Sequence, residues 1–184
     1  MDSRSDVDKR QELSGDEAIG KVRALLPKFR SAMLVTSAAD GGLHARPLAL
    51  AGNPDAFDGI LWFFVDDRSL KARESAGGAP ASLVFQNDHD NAYLHLRGAA
   101  DVVRDLPTMR ELYSPVLRTW FPEGLDDPHL VLIKVAADSG TFWEIPGGRL
   151  RAAAALATSV VTGTPTRSTD AGDLRFATGR EASR

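Results

Sequence analysis

The sequence predicts a mainly β protein, a small antiparallel barrel with peripheral helices, and three observations carry that expectation. Six or seven short segments have strand composition and spacing, and clusters of Gly, Asn, Asp and Pro separate most of them. The segments follow one another through hairpin-type turns instead of alternating with helices, which disfavours a parallel βαβ sheet. Helical spacing dominates at only two places in the barrel region, one before the strands and one late among them.

Taken in order, residues 1–11 are charged and small, and the expectation is a poorly ordered start. Ser14-Gly15-Asp16-Glu17 has capping-box spacing, and Ile19, Val22, Leu25 and Leu26 follow at helical intervals, with Pro27 as the stop. From Ala32 to Ser37 the period becomes that of a strand. Ala39-Asp40-Gly41-Gly42 provides hairpin chemistry, and Leu43 to Ala51 returns. Pro47 lacks a ladder donor, so this strand belongs at an edge or beside a bulge. Ile60 to Val65 is a continuous apolar run, read as a strand buried on both faces. A short helix over Leu70–Ser75, with Ser69 as its cap, leads to a strand at 81–86. Ala92 to Val103 reads as a long strand with a bulge or corner at Gly98. Asp105 caps a second helix whose inward stripe would be Met109, Leu112, Val116, Leu117 and Trp120. Leu130–Val135 and Thr141–Ile145 read as two final strands, and Leu150–Val161 is alanine-rich and helix-prone. The layout is therefore residues 1–13 as a flexible start, 14–150 as one barrel domain, and 151–184 as a helix followed by an arm or tail.

Composition narrows the class. A formal net charge of −3 over 184 residues disfavours a general nucleic-acid binder. With no cysteine, disulfides, thiolate catalysis and thiolate metal sites are excluded. No apolar run approaches the ~20 residues a membrane span needs, and the polar start lacks the apolar segment of a secretory signal, so the expectation is a cytoplasmic protein with no membrane partner. The histidines His44, His89, His95 and His129 match no metal spacing, and no metal is expected.

The stretch Ile60 to Arg73 concentrates the candidate chemistry. Its buried strand gives way to Asp66-Asp67, then to a hydroxyl and an ammonium at Ser69 and Lys71. Such a strand-turn can cradle an anion. A solvated turn with incidental charges is the alternative reading of the same residues.

The run Phe63 to Ala72 resembles the phosphate-binding strand-turn of the flavin-binding split β-barrels, the pyridoxamine 5′-phosphate oxidase superfamily. Leu43-His44-Ala45-Arg46-Pro47-Leu48-Ala49-Leu50 is similar to the Arg-Pro-Met strand of its general stress protein branch, with Leu48 in place of Met. The resemblance implies a six- to seven-stranded antiparallel split β-barrel with an N-terminal helix and one inserted helix. It implies FMN as cofactor, with Arg46, Ser69 and Lys71 at the phosphate. Pro47, Leu48, Phe64 and Val65 would then lie beside the isoalloxazine ring. Trp143 resembles a tryptophan that reaches the flavin across a dimer interface, so a homodimer with cofactor at the interface is implied. A core or interface tryptophan without ligand contact is the other reading.

Departures from the oxidase pattern are equally specific. Val65 replaces a common Thr, and Ala51 stands where the oxidases close the strand motif with Lys. The residues after Arg149 are Arg151 and Ala153 instead of the oxidase His and Arg. True pyridoxamine phosphate oxidation is therefore not expected. The resemblance implies a flavin-dependent oxidoreductase acting on a small-molecule donor or acceptor. The alternatives are a non-catalytic flavin-binding or storage stress protein, or a barrel that binds haem or a deazaflavin.

Overall fold

The computed structural model describes residues 11–145 and 170–176. Its elements are β1 (Gln11–Ser14), α1 (Gly15–Leu25), β2 (Ser31–Ser37), β3 (Leu43–Ala49), β4 (Ile60–Asp66), α2 (Leu70–Glu74), β5 (Ala79–Asn87), β6 (Ala92–Val103), α3 (Leu106–Leu112), β7 (Leu130–Glu144) and β8 (Asp170–Arg175). The sheet runs β1-β8-β7-β6-β5-β2-β3, and β4 adds to β7. Every pairing is antiparallel except that of β1 with β8.

β7 organises the barrel. One of its edges is paired along its length by β6. The other edge is divided: Leu130–Ala136 pairs β4, and Ser139–Glu144 pairs β8. Beyond β3, the Ala51 amide donates to the Trp62 carbonyl at 2.8 Å, an isolated bridge to β4. That bridge closes a ring of β3, β2, β5, β6, β7 and β4, the split barrel expected from the sequence.

The interior is apolar. Phe63, Phe85, Phe142, Leu34, Leu83, Leu94 and Leu96 are essentially inaccessible, and Val22 and Leu25 of α1 join the same cluster. Val65 faces this core while Phe64 faces a second cluster with Met109, Leu130 and Leu132. The apolar run of β4 is thus buried on both faces, as its composition requires. α1 is also fastened by charge. Lys21 Nζ reaches Asp170 at 2.7 Å and also meets Glu144, which Lys28 contacts too. Burial pushes Lys21 down and Glu144 up, and the ion pairs outweigh it in both: Lys21 ends above its ordinary value and Glu144 below.

Four sequence expectations change. Leu130–Ile145 is one strand of 15 residues over Leu130–Glu144, not two. Gly140, read as part of a break, instead lets β6 come close, since a Cβ there would lie 2.4 Å from the His95 carbonyl oxygen. The late helix is broken: α3 ends at Leu112, and Pro115 opens a separate 3-10 turn over Pro115–Thr119. Tyr113 and Ser114 are extended, as the residue before a proline prefers. Met109 is buried, while Val116 and Trp120 of the expected stripe are exposed. Asp170–Arg175 is a strand within the segment expected to be an arm or tail, and residues 11–13 pair with it instead of belonging to a flexible start. Ser14 occupies the N-cap position of α1, yet its side chain makes no capping bond. The expected helix over 150–161, with Arg149, Arg151 and Ala153, lies outside the described residues.

The bulge expected at Gly98 is present, as a register shift between Arg97 and Gly98 against β7. A Cβ on Gly98 would stand 1.9 Å from the Ala136 carbonyl oxygen, so backbone would have to move. Gly98→Ala is expected to destabilise by roughly 1–3 kcal/mol or more. Gly20→Ala, on α1 with open space around it, is expected to stabilise by roughly 0.5–1 kcal/mol. Urea denaturation midpoints of the two variants, moving in opposite directions, check both.

Candidate functional site

β-strand alternation puts His44, Arg46 and Leu48 on one face of β3. Thr36 lies opposite His44 on β2, with Leu34 and Ala32 continuing the inward row. Towards Ala32 that face is apolar core; at the Thr36 end it becomes polar, and α2 approaches there. Ser69 begins α2 by accepting from the Ala72 amide at 3.3 Å and donating its hydroxyl hydrogen to the Asp66 carbonyl at 2.6 Å. Glu74, at the other end of α2, is directed at the strands.

Three side chains meet on Glu74. The Thr36 hydroxyl donates to Glu74 Oε2 at 2.6 Å, and Arg46 Nη2 lies 2.8 Å from the same oxygen. His44 Nδ1 is 2.7 Å from Oε1. Arg46 Nη1 also donates to Thr36 Oγ1 at 3.0 Å. Thr36 is inaccessible and the Glu74 side chain is only 9% exposed, whereas Arg46 keeps 22%. A carboxylate removed from water must be compensated by donors. The Thr36 hydroxyl, opposed by burial and joined by His44 and Arg46, holds the Glu74 carboxyl down to about 2.

Lys71 stands one helical turn before Glu74 on α2, a spacing that puts both on one side of the helix. The residue is half-buried, and its side chain makes no hydrogen bond or ion pair among the described residues, while its carbonyl accepts from the Ser75 amide. Arg46 and Lys71 are thereby linked through α2. Two of the five guanidinium N–H donors of Arg46 are engaged, by Thr36 and Glu74, and the other three have no partner among the described residues. Ser69 offers less than its position suggests, because its hydrogen is committed to Asp66.

The other sequence-derived residues fall in three places. Leu48, Phe64 and Val65 are buried in the two apolar clusters, with Leu48 paired to Ala32 of β2 and Phe64 and Val65 to Leu132 and Val131 of β7. Pro47 is exposed on β3, opposite Met33. Trp143 is elsewhere, at the C-terminal end of β7 between Tyr93 of β6 and Ala171 of β8, and is 37% exposed. It shares the outer sheet face with Tyr93, Val84 and Met33, all partly exposed. A cleft of about 420 Å³ opens beside Thr36, with Val35, Leu43, Ser82 and Arg97 among its walls. A larger one of about 680 Å³, over β6, β7 and β8, includes His95, Arg97, Thr141 and Arg175. Burial and then the Arg97 charge push His95 below its ordinary value.

Sequence reasoning missed Glu74, Thr36 and His44 as members of the cluster. The spacing Lys71 to Glu74 and the strand alternation of His44 with Arg46 were the available signals. It also missed that His129 meets Asp67, at 3.0 Å, with Asp66 close by. Those carboxylates are already engaged, Asp66 by Arg68 and Asp67 by Arg104.

Residues 17–166 match the profile of the family described as pyridoxamine 5′-phosphate oxidase like. The chain belongs to that family. It is 23% identical over 163 residues to Protein bli-3 of Neurospora crassa, covering 84% of this chain and 78% of that protein. Among solved structures, a protein of Jannaschia sp. CCS1 assigned as general stress protein 26 superposes with a TM-score of 0.75 at 25% identity, over 88% of this chain and 99% of that one. A general stress FMN/FAD binding protein of Xanthomonas citri shares the fold, with a TM-score of 0.60 and 24% identity over 70% and 89% of the two chains. The split barrel and the general stress branch read from the sequence agree with these relatives. No helix among the described residues is long and apolar enough to cross a membrane.

Acid should loosen the cluster in a defined window. The Glu74 carboxyl lies below its ordinary value of 4.5 in the fold, so its stabilisation is complete above that pH and is lost as pH falls toward about 2. Asp66, held down to about 2 by the Arg68 side chain, adds to the lower part of the window. Urea midpoints taken from pH 5 to pH 2 should therefore fall, and Glu74→Gln should make that fall shallower without abolishing it.

Proposed function

We propose that this chain binds FMN, with Arg46 and Lys71 at the phosphate, and acts as a flavin-dependent oxidoreductase on a small molecule. The observation that carries the reading is the pair of cations held on neighbouring elements by one helix. Arg46 is fixed to α2 through Glu74, and Lys71 on that helix has no other partner among the described residues. A terminal phosphate with close to two charges suits this donor set: a guanidinium with three open N–H groups and a compact ammonium. Family membership and the flavin-binding relative support the same reading.

The flavin, when bound, supplies two-electron redox chemistry. The chain's own residues bind and orient. Arg46 and Lys71 fix the phosphate end. Backbone of β3 near Pro47 and of β4 near Val65 offers N–H and C=O groups to a flat heterocycle. Glu74, ionised down to about pH 2, does not exchange protons near neutrality and acts by charge and position.

The dimer belongs to the same proposal. Met33, Val84, Tyr93 and Trp143 form a partly exposed apolar band across β2, β5, β6 and β7. A second copy of the chain would cover it and bring Trp143 to the partner's ligand. A storage role uses the same phosphate site, and the absence of turnover distinguishes it.

The full chain, purified gently, is expected to show flavin absorption or to take up added FMN. Arg46→Ala and Lys71→Ala should each weaken FMN about tenfold or more while changing riboflavin affinity far less. A colourless protein that takes up no FMN overturns the reading. Reduced-nicotinamide turnover above that of free flavin favours the oxidoreductase, and turnover equal to it favours storage.

A further inference from the structure

The contacts of Arg46 bear on how firmly a phosphate is held. One of its terminal nitrogens is taken by a carboxylate oxygen 2.8 Å away, and the Thr36 hydroxyl, which would otherwise be a donor, gives its hydrogen to that same oxygen. Arg46, Lys71 and Glu74 together carry one net positive charge. A phosphate monoester brings nearly two negative ones. An incoming phosphate must therefore share the guanidinium with a resident anion or push that anion away.

We propose that Glu74 is a built-in competitor for the Arg46 guanidinium, and that it makes the phosphate-bearing ligand a dissociable one instead of a permanently held group. This rests on the assignment of Arg46 and Lys71 to the phosphate. Glu74 is suited to the part by its position at the end of the five-residue α2, where a turn of its side chain changes the contact with Arg46 while Ala72 keeps the helix seated on the core. Its partners Thr36 and His44 remain to satisfy it when Arg46 turns to a ligand. The carboxylate thus has somewhere to go electrostatically, which a lone competing acid would lack.

The test uses the full chain, with inorganic phosphate, FMN and riboflavin titrated separately by calorimetry into wild type, Glu74→Gln and Glu74→Asp. Glu74→Gln removes the charge and keeps the size. It is expected to tighten inorganic phosphate and FMN by about tenfold and to leave riboflavin within about twofold. Glu74→Asp, which draws the carboxylate back from Arg46, should tighten both phosphate ligands by a smaller factor. Phosphate and FMN affinities that stay unchanged or weaken in a cooperatively melting Glu74→Gln overturn the proposal, because Glu74 would then position Arg46 and not compete for it. If Glu74→Gln fails to melt cooperatively, Glu74→Asp decides by the same criterion. Wild type that binds FMN, with variants that do not tighten, sinks the competitor and spares the flavin reading. Tighter inorganic phosphate in the variants with no FMN binding in any of them does the reverse. No binding of either ligand by any protein overturns both.

Discussion

A carboxylate placed where water scarcely reaches has to be surrounded by donors, and the Thr36 end of this barrel is arranged around that requirement. Glu74 takes a hydroxyl from β2, an imidazole and a guanidinium from β3, and fastens α2 to both strands. Without it, Arg46 would be a cation facing inward at the end of an apolar row. With it, the guanidinium keeps a fixed orientation, and Lys71 is held on the same short helix. One carboxylate thus ties a hydroxyl, an imidazole and a guanidinium from two strands to the end of one helix.

The second constraint is the length of β7. One strand of 15 residues serves as the shared wall for β4 on one half and β8 on the other. Such a wall tolerates little crowding along its β6 edge, and glycine stands at the two tightest points. Gly98 meets the Ala136 carbonyl and Gly140 meets the His95 carbonyl. Closure by a single bridge at Ala51 leaves the β3–β4 seam with few ladder bonds.

Much of the fold was legible because the strands are short, alternate cleanly and are punctuated by turn chemistry. β2, β3 and the bulge at Gly98 follow directly from residue pattern, and the two-face burial of β4 follows from its unbroken apolar run. What was not legible depended on partners distant in sequence. Asp138-Ser139-Gly140 looks like a break, and only the approach of β6 explains a glycine inside a strand. Asp170–Arg175 has a polar, glycine-containing composition that gives no strand signal alone; β7 and β1 impose the conformation from both sides. At the site, the motif residues Arg46 and Lys71 stand out by charge type. Glu74 did not, because an acid in a short helix reads as a solvated surface group until the strands beneath it are known.

The parallel pairing of Gln11–Ser14 with Asp170–Arg175 joins a strand from early in the chain to one from late in it. As the polypeptide leaves the ribosome, the six-stranded ring is complete in sequence once β7 has emerged, yet half of one β7 edge waits uncovered for β8. A nascent barrel at that stage carries an open strand edge next to the Tyr93 and Trp143 surface, so β8, which follows the ring in the chain, is also the strand that shields the molecule from joining its neighbours by the wrong edge.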